Sequence, residues 1–504
     1  MNLQLHFFKR YFPLLPLSCL LICSLPLKAN DYTGHTTFVP HPLYHDVSPE
    51  KVALFHQVPI ERVDGLGSGF QAVALASTSV NTAEMARYFL PFGKTQIVAG
   101  EPSSDAVKNG TVDILAQYFG VKTSEDSSDQ KFQSTLQFKP KQTVAGVGFS
   151  YIQDFTVFKR TLRFSVHTPI LRVHNNLHAK ETITNPGGDD NNPEVPAGYV
   201  GSIMEAFTGK TIFGDQRFEH GKIAPCGLTK WGLGDIEATI GSQNHELETC
   251  QRGWWLGVVI PTGNKPKGEY LFEPIVGNNH HLGVIFGSYY HHQMWTNNED
   301  KEIWVHFHSQ TRHLFDNKQH RAIDLVDKQW SRYLWLYPNK DAVAGAVQPG
   351  IDHLTMQVDV SPRSVLNINT AVTYSCEGLA LEGGMNTFAR QSEKISLKCA
   401  YNGTAAIAGD IEEDSVYSRN RATIRYYDGI DDDNTYTPIK ESDLNFASAT
   451  QPATLCYIFY GSIGYQWKEV EYPTFIMTGC SYEYSADNAG LERWVGWLKG
   501  GIAF

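Results

Sequence analysis

Hydrophobic and polar residues alternate one by one along much of this chain. Phe132, Leu136 and Phe138 fall on one face of their segment, with Gln133, Thr135 and Gln137 on the other. Leu162, Phe164 and Val166 alternate with Arg163, Ser165 and His167. Ile303, Val305 and Phe307 alternate with Trp304, His306, His308 and Gln310. Leu354, Met356, Val358 and Val360 alternate with His353, Thr355, Gln357 and Asp359. Asn367, Asn369, Ala371 and Thr373 oppose Leu366, Ile368, Val372 and Tyr374. A period of two predicts strands with one apolar and one polar face.

The pattern predicts 14 strands, at 131–138, 142–152, 160–168, 228–241, 252–261, 280–292, 302–314, 328–337, 351–360, 364–375, 379–391, 453–467, 472–485 and 491–504. A segment at 68–79, paired with 94–100, would raise the count to 16. Many of these segments exceed the ~5–6 residues of an ordinary soluble strand and approach the ~9–11 that cross a bilayer obliquely. Short connections (139–141, 242–251, 376–378, 468–471) contrast with long ones at 169–227 and 392–452. The fold expected is therefore all-β: a closed antiparallel transmembrane β-barrel of about 14 strands, within 12–16, with long extracellular loops.

Aromatic residues gather near predicted strand ends, where membrane interfaces would lie: Trp254 and Trp255, then Trp330, Tyr333, Trp335 and Tyr337, then Trp467 and Tyr472. Glycine pairs such as Gly146 and Gly148, or Gly283 and Gly287, are expected to ease strand bending.

Composition narrows the class. The 504 residues are 19% charged and 12% aromatic, which argues against a disordered chain. The net charge of -11, without a run of Lys and Arg, argues against a nucleic-acid partner. One long apolar run, near the N-terminus, is too little for a helical membrane bundle.

That run reads as a secretory signal over 1–29. Lys9 and Arg10 precede an apolar core, and Leu27-Lys28-Ala29 offers a cleavage site. Residues 30–130 are expected to form a periplasmic or plug segment, or extra strands, before a barrel over 131–504. An exported chain meets oxidising conditions. Beyond the signal stand six cysteines: Cys226, Cys250, Cys376, Cys399, Cys456 and Cys480. Symmetry about the 468–471 turn predicts a disulfide between Cys456 and Cys480, and a loop bridge between Cys226 and Cys399 is a further option.

The last strand ends in Gly500-Gly501-Ile502-Ala503-Phe504. With Ile502 and the terminal Phe504 two apart, it resembles the carboxy-terminal assembly signal of bacterial outer-membrane proteins. That resemblance implies the barrel-assembly machinery as a partner. Gly232-Leu233-Gly234-Asp235-Ile236, followed by Gly257-Val258-Val259-Ile260-Pro261-Thr262-Gly263-Asn264, resembles outer-membrane channels of the phenol meta-pathway type, similar in style to fatty-acid transporters. The resemblance implies a Gram-negative outer-membrane barrel that passes small molecules. The N-P-A of the fatty-acid transporters is absent from this chain.

The function expected is passive, porin-like passage of small solutes, with outer-membrane lipid around the barrel. The alternative is a surface barrel whose loops bind a protein. Lumen-facing candidates are Arg163, His167, His306, His308, Arg332, Asp359, Asn367 and Asn369. Histidines at 280, 281, 291, 292, 306 and 308 are read as polar lumen groups rather than a metal site, and Asp428–Asn434 as a solvated acidic loop rather than a calcium site. Ser288 and His306 are the pair a hydrolase would need, but no signature picks them out. Neither enzyme nor cofactor is expected.

Overall fold

The computed structural model describes residues 33–54, 66–101, 112–121, 131–157, 160–187, 199–212, 215–247, 249–297, 301–337, 347–401, 403–408, 423–425, 436–486 and 490–504. The expected signal at 1–29 and the Asp428–Asn434 run lie outside them. Twelve long strands form the main body: β1 (Leu66–Ser79), β2 (Lys141–Val157), β3 (Arg160–Asn176), β4 (Ile236–Leu247), β5 (Cys250–Ile260), β6 (Gly283–Thr296), β7 (Lys301–Leu314), β8 (Arg363–Cys376), β9 (Leu379–Arg390), β10 (Thr454–Trp467), β11 (Thr474–Ser485) and β12 (Arg493–Ala503). Each pairs antiparallel with its sequence neighbours, and β12 pairs with β1 from Gly69↔Ala503 to Ser79↔Arg493. The β12–β1 pairing closes the twelve strands into a barrel.

A thirteenth strand, Leu228–Leu233, extends the sheet beside the upper half of β3. It turns into β4 at Asp235. The Asp235 carboxylate accepts hydrogen bonds from the Gly263 N–H at 3.1 Å, and from the Asn278 backbone and side-chain amides at 2.7 Å each. Thr262 donates its hydroxyl to the Gly234 carbonyl. The G-L-G-D-I and P-T-G segments are thus two halves of one clasp.

The connections segregate. The ends of β2 and β3, β4 and β5, β6 and β7, β8 and β9, and β10 and β11 that face each other in sequence share one end of the barrel. The opposite end carries the described parts of 80–140, 177–235, 261–282, 315–362, 391–453 and 486–492. These connections build a cap with its own core. A sheet of Ile114–Leu115, Gln96–Gly100, Gln133–Gln137 and Lys180–Asn185 stands with a second of Asn317–Ala322, Thr355–Ser361 and Lys394–Leu397. Phe119, Phe207, Phe218, Trp330 and Tyr333 pack ring against ring within that core.

Several expectations change here. Residues 30–130 supply an extra barrel strand, β1, which pairs with β2 and β12 rather than with 94–100. Within 131–138 and 351–360 the strands are Gln133–Gln137 and Thr355–Ser361, both in the cap sheets, and the start of the second segment belongs to a short helix, Gly350–Leu354. The segment 328–337 is a 3-10 turn, Ser331–Tyr333, followed by the two-residue strand Trp335–Leu336. Its Trp330, Tyr333 and Tyr337 are cap core instead of interface aromatics. Alternation marks a strand with one covered face, whichever layer does the covering.

The disulfide is also corrected. Cys456 lies opposite Ser485, and Cys480 opposite Gly461. The true register is five residues away from the one that would join the cysteines. An odd shift puts them on opposite faces. Cys456 is buried and Cys480 exposed, and among the described residues no disulfide joins them or joins Cys226 to Cys399.

Candidate functional site: the lumen and its plug

Outward-facing barrel positions are apolar and exposed, among them Phe70, Ile240, Leu256, Phe286, Val372, Leu381, Ile463 and Leu498. Trp467 and Tyr472 stand exposed at the short-turn end, and Trp231, Tyr484 and Trp494 toward the cap. Inward neighbours on the same strands are polar or charged: Gln71, Asp154, Glu237, Arg312, Asn367, Glu382, Glu483 and Lys499, all buried. A wall that is greasy outside and polar inside, with short turns at one end only, suits lipid around it and polar groups within. The chain is an outer-membrane β-barrel. In such barrels the short turns are periplasmic and the long connections face outward.

The lumen of this outer-membrane barrel is partly filled by residues 38–54. The segment leaves the cap at Phe38 and enters the barrel, where Leu43, Tyr44, Ala53 and Leu54 pack against Val73, Leu75, Tyr460 and Met477. Its backbone is held by the wall. Arg390 donates to the Val39 carbonyl at 2.8 Å, Arg493 to His41 at 2.7 Å and Asn386 to Val47 at 3.0 Å. The Leu54 N–H donates to Glu382 at 3.1 Å. A strandless segment is tolerated at this depth because wall side chains satisfy its peptide groups.

Ion pairs fix it further. Lys51 reaches Glu237 at 2.7 Å, and Arg312 bridges Glu237 at 2.7 Å and Asp46 at 3.1 Å. Gln310 donates to Asp46 at 2.7 Å. The wall charges Glu237 and Arg312 are thus matched by each other and by the plug's Lys51 and Asp46, and are buried as a network.

Below the plug, toward the periplasmic turns, lies a cavity of about 480 Å³. Asp46, Val47, Lys51 and Val52 form its roof, and Lys468 of the β10–β11 turn lies at its lower margin. On one side stand Asp154, Arg163, Ser165, His167 and Thr239. On the other stand Trp255, Tyr289, His291, Trp304, His306, His308 and Gln310. Arg163 donates through Nε and Nη2 to the two Asp154 oxygens at 2.6 and 2.8 Å. His167 meets Ser150 at 2.7 Å, and the Nε2 atoms of His291 and His308 lie 3.0 Å apart. One of those two must donate and the other accept, so the pair carries at least one neutral ring.

Four of the expected lumen residues, Arg163, His167, His306 and His308, line this cavity. Asn367 and Asn369 also face inward, but they support the plugged region: Asn386 links Asn367 to Val47, and Tyr460 donates to Asn369 at 3.1 Å. Arg332 and Asp359 are not in the lumen. Arg332 is buried in the cap, paired with Asp324 at 2.7 Å. Asp359 sits on Thr355–Ser361 opposite Lys318. Ser288 faces outward opposite Ser309, while His306 faces inward opposite His291, so that pair does not form. Among the described residues no group of three His, Cys, Asp or Glu has the geometry to hold a metal ion. Ile502 lies on the outer face of β12, and Phe504, one residue past its end, is exposed.

Sequence reading missed the plug residues Tyr44, Asp46 and Lys51. A usable signal was present in the strands. Asp154, Glu237 and Arg312 occupy polar-face positions inside long strands, and buried charges there demand partners. It did not say that the partners lay some 190 to 270 residues upstream in the cases of Glu237 and Arg312.

No known protein family and no curated protein matches the chain by sequence. Solved structures of similar build exist. An outer membrane channel from Pseudomonas putida F1 shares 11% identity at a TM-score of 0.38, covering 88% of this chain and 97% of that one. The toluene transporter TodX of Pseudomonas putida shares 8% at a TM-score of 0.25, covering 95% and 99%. A FadL homologue of Pseudomonas aeruginosa shares 7% at 0.27, covering 87% and 89%. Likeness this loose says nothing of function, and the barrel is defined by its own strand pairing.

Proposed function

We propose that this barrel is a channel for passive passage of a small solute, with residues 38–54 as an internal plug. The observation that supports it is the cavity of about 480 Å³ beneath the plug, bounded below by periplasmic turns and lined by paired charges and polar rings. A wall built only for stability would be filled to native packing density. The reading assigns no catalysis to the chain. Insertion by the barrel-assembly machinery through Ile502 and Phe504 belongs to it.

Planar-bilayer recording and liposome swelling with the purified protein test the reading. Steady or flickering channels that grow when residues 33–54 are deleted support it. A barrel that stays electrically silent with the plug removed overturns it. Loop-dependent binding to cells would then favour the protein-binding alternative.

A further inference from the structure

We infer that the lumen cavity binds an uncharged sugar. The inference rests on the solute-passage reading and gives that solute a chemical class.

The first observation is charge. Three carboxylates (Asp46, Asp154, Glu302) and three cations (Lys51, Arg163, Lys468) line the cavity. Asp46 is held by Arg312, Lys51 by Glu237, and Arg163 by Asp154. Glu302 and Lys468 bring the six charges to a net of zero, so a charged solute would meet no net attraction and would lose hydration on entering.

The second is shape. One wall is a nearly continuous array of flat rings across β5, β6 and β7. Trp255 and Tyr289 stack with centroids 6.4 Å apart at 25°. Tyr289 adjoins His291 at 4.7 Å and His308 at 6.1 Å. His291 meets His306 at 4.8 Å, and His306 stacks on Trp304 at 6.5 Å and 12°. Ring faces carry negative charge density, and the C–H groups on the face of a pyranose are their natural partners.

The third is the chemistry of the remaining lining. Ser165, Thr239, Gln243, Gln251, Gln310 and Ser375 offer hydroxyls and amides around it. Aliphatic side chains are limited to Val47, Val52 and Ile152. A hydrocarbon would displace water from this polar lining without offering it a hydrogen bond, which is costly. A molecule with flat C–H faces and hydroxyls round its rim satisfies both the rings and the polar groups.

The test uses the full-length protein in an amine-oxide detergent, which carries no sugar headgroup. Glucose, maltose, phenol, benzoate and choline are titrated by calorimetry and by tryptophan fluorescence. Glucose or maltose should bind at least about tenfold more tightly than phenol, benzoate or choline. Trp304→Ala should weaken that binding about tenfold, and Trp304→Phe should restore most of it. Heat-modifiable gel mobility confirms that each variant is folded. Preferential binding of phenol or of either ion overturns the inference, as does sugar binding indifferent to Trp304→Ala. Bilayer recording separates the two readings. Conductance that sugars never block overturns the sugar site and leaves the channel. Sugar binding by a barrel that never conducts overturns the channel and leaves the site.

Discussion

The ring of Tyr44 lies flat against Gly148, so close that a Cβ at that glycine would come within 2.5 Å of the ring carbons. The Tyr44 hydroxyl continues the contact to Ser150 at 2.7 Å and receives Gln71 at 3.2 Å. A glycine on the wall is here a seat for the plug. Gly287 serves the Trp255 indole in the same way.

Gly148→Leu should therefore unseat the plug while leaving the barrel closed, since the substitution keeps β-sheet hydrogen bonding intact. Conductance in planar bilayers should rise, and residues near Tyr44 should become cleavable by added protease. Unchanged conductance with an unchanged cleavage pattern would show that Tyr44 does not seat the plug.

Arg312→Ala removes the cation shared by Asp46 and Glu237. Breaking a buried pair by deleting one partner costs about 3–5 kcal/mol. The variant should lose its heat-modifiable folded band at a distinctly lower temperature than the parent. Arg312→Ala combined with Asp46→Asn should recover part of that loss. Additive losses would mean the two side chains act independently.

Asp154→Asn takes the carboxylate away from Arg163, whose guanidinium then faces the cavity uncompensated. Reversal-potential measurements across a salt gradient should shift toward anion preference. The reciprocal Arg163→Gln should shift toward cations. No movement in either variant would place this pair off the conduction path.

Reduction should leave gel mobility unchanged, because none of the described cysteines is in a disulfide. In the folded protein Cys480 should react with a membrane-soluble thiol reagent and Cys456 should not, because Cys456 is buried. A peptide joining 456 and 480 in a mass map would contradict the register.

Burial holds His281, at the cap-side entry to β6, below the ordinary histidine value of 6.5. Its Nδ1 donates to the Phe315 carbonyl at 2.8 Å, and its Nε2 accepts from Gln319 at 2.9 Å. The folded state thus holds a neutral ring, and the unfolded state binds the extra proton. Stability from this site is complete above about pH 6.5 and falls as pH drops below it. Thermal melts of His281→Gln should show a shallower loss between pH 7 and pH 5 than the parent, with pH 7 and 5 taken as roughly bracketing the titration. Parallel curves would rule this histidine out.

Sequence alone determined the architecture's kind. Each of the 12 barrel strands is an alternating segment with lipid on one side and polar groups on the other, and that periodicity is local. Parity assigns Arg163, His167, His306 and His308 to one face of their strands, and these four line the lumen cavity. Parity could not say which layer covers a face. Asp359 alternates as cleanly as Asn369, yet it belongs to a cap sheet, and Arg332 sits in the cap core. Only the tertiary structure decided the register that separates Cys456 from Cys480, since the turn length between two strands is set by where hydrogen bonding stops. It alone brought Tyr44, Asp46 and Lys51 to Ser150, Arg312 and Glu237. Those contacts span long stretches of chain, and a buried charge specifies that it needs a partner without specifying where along the sequence the partner lies.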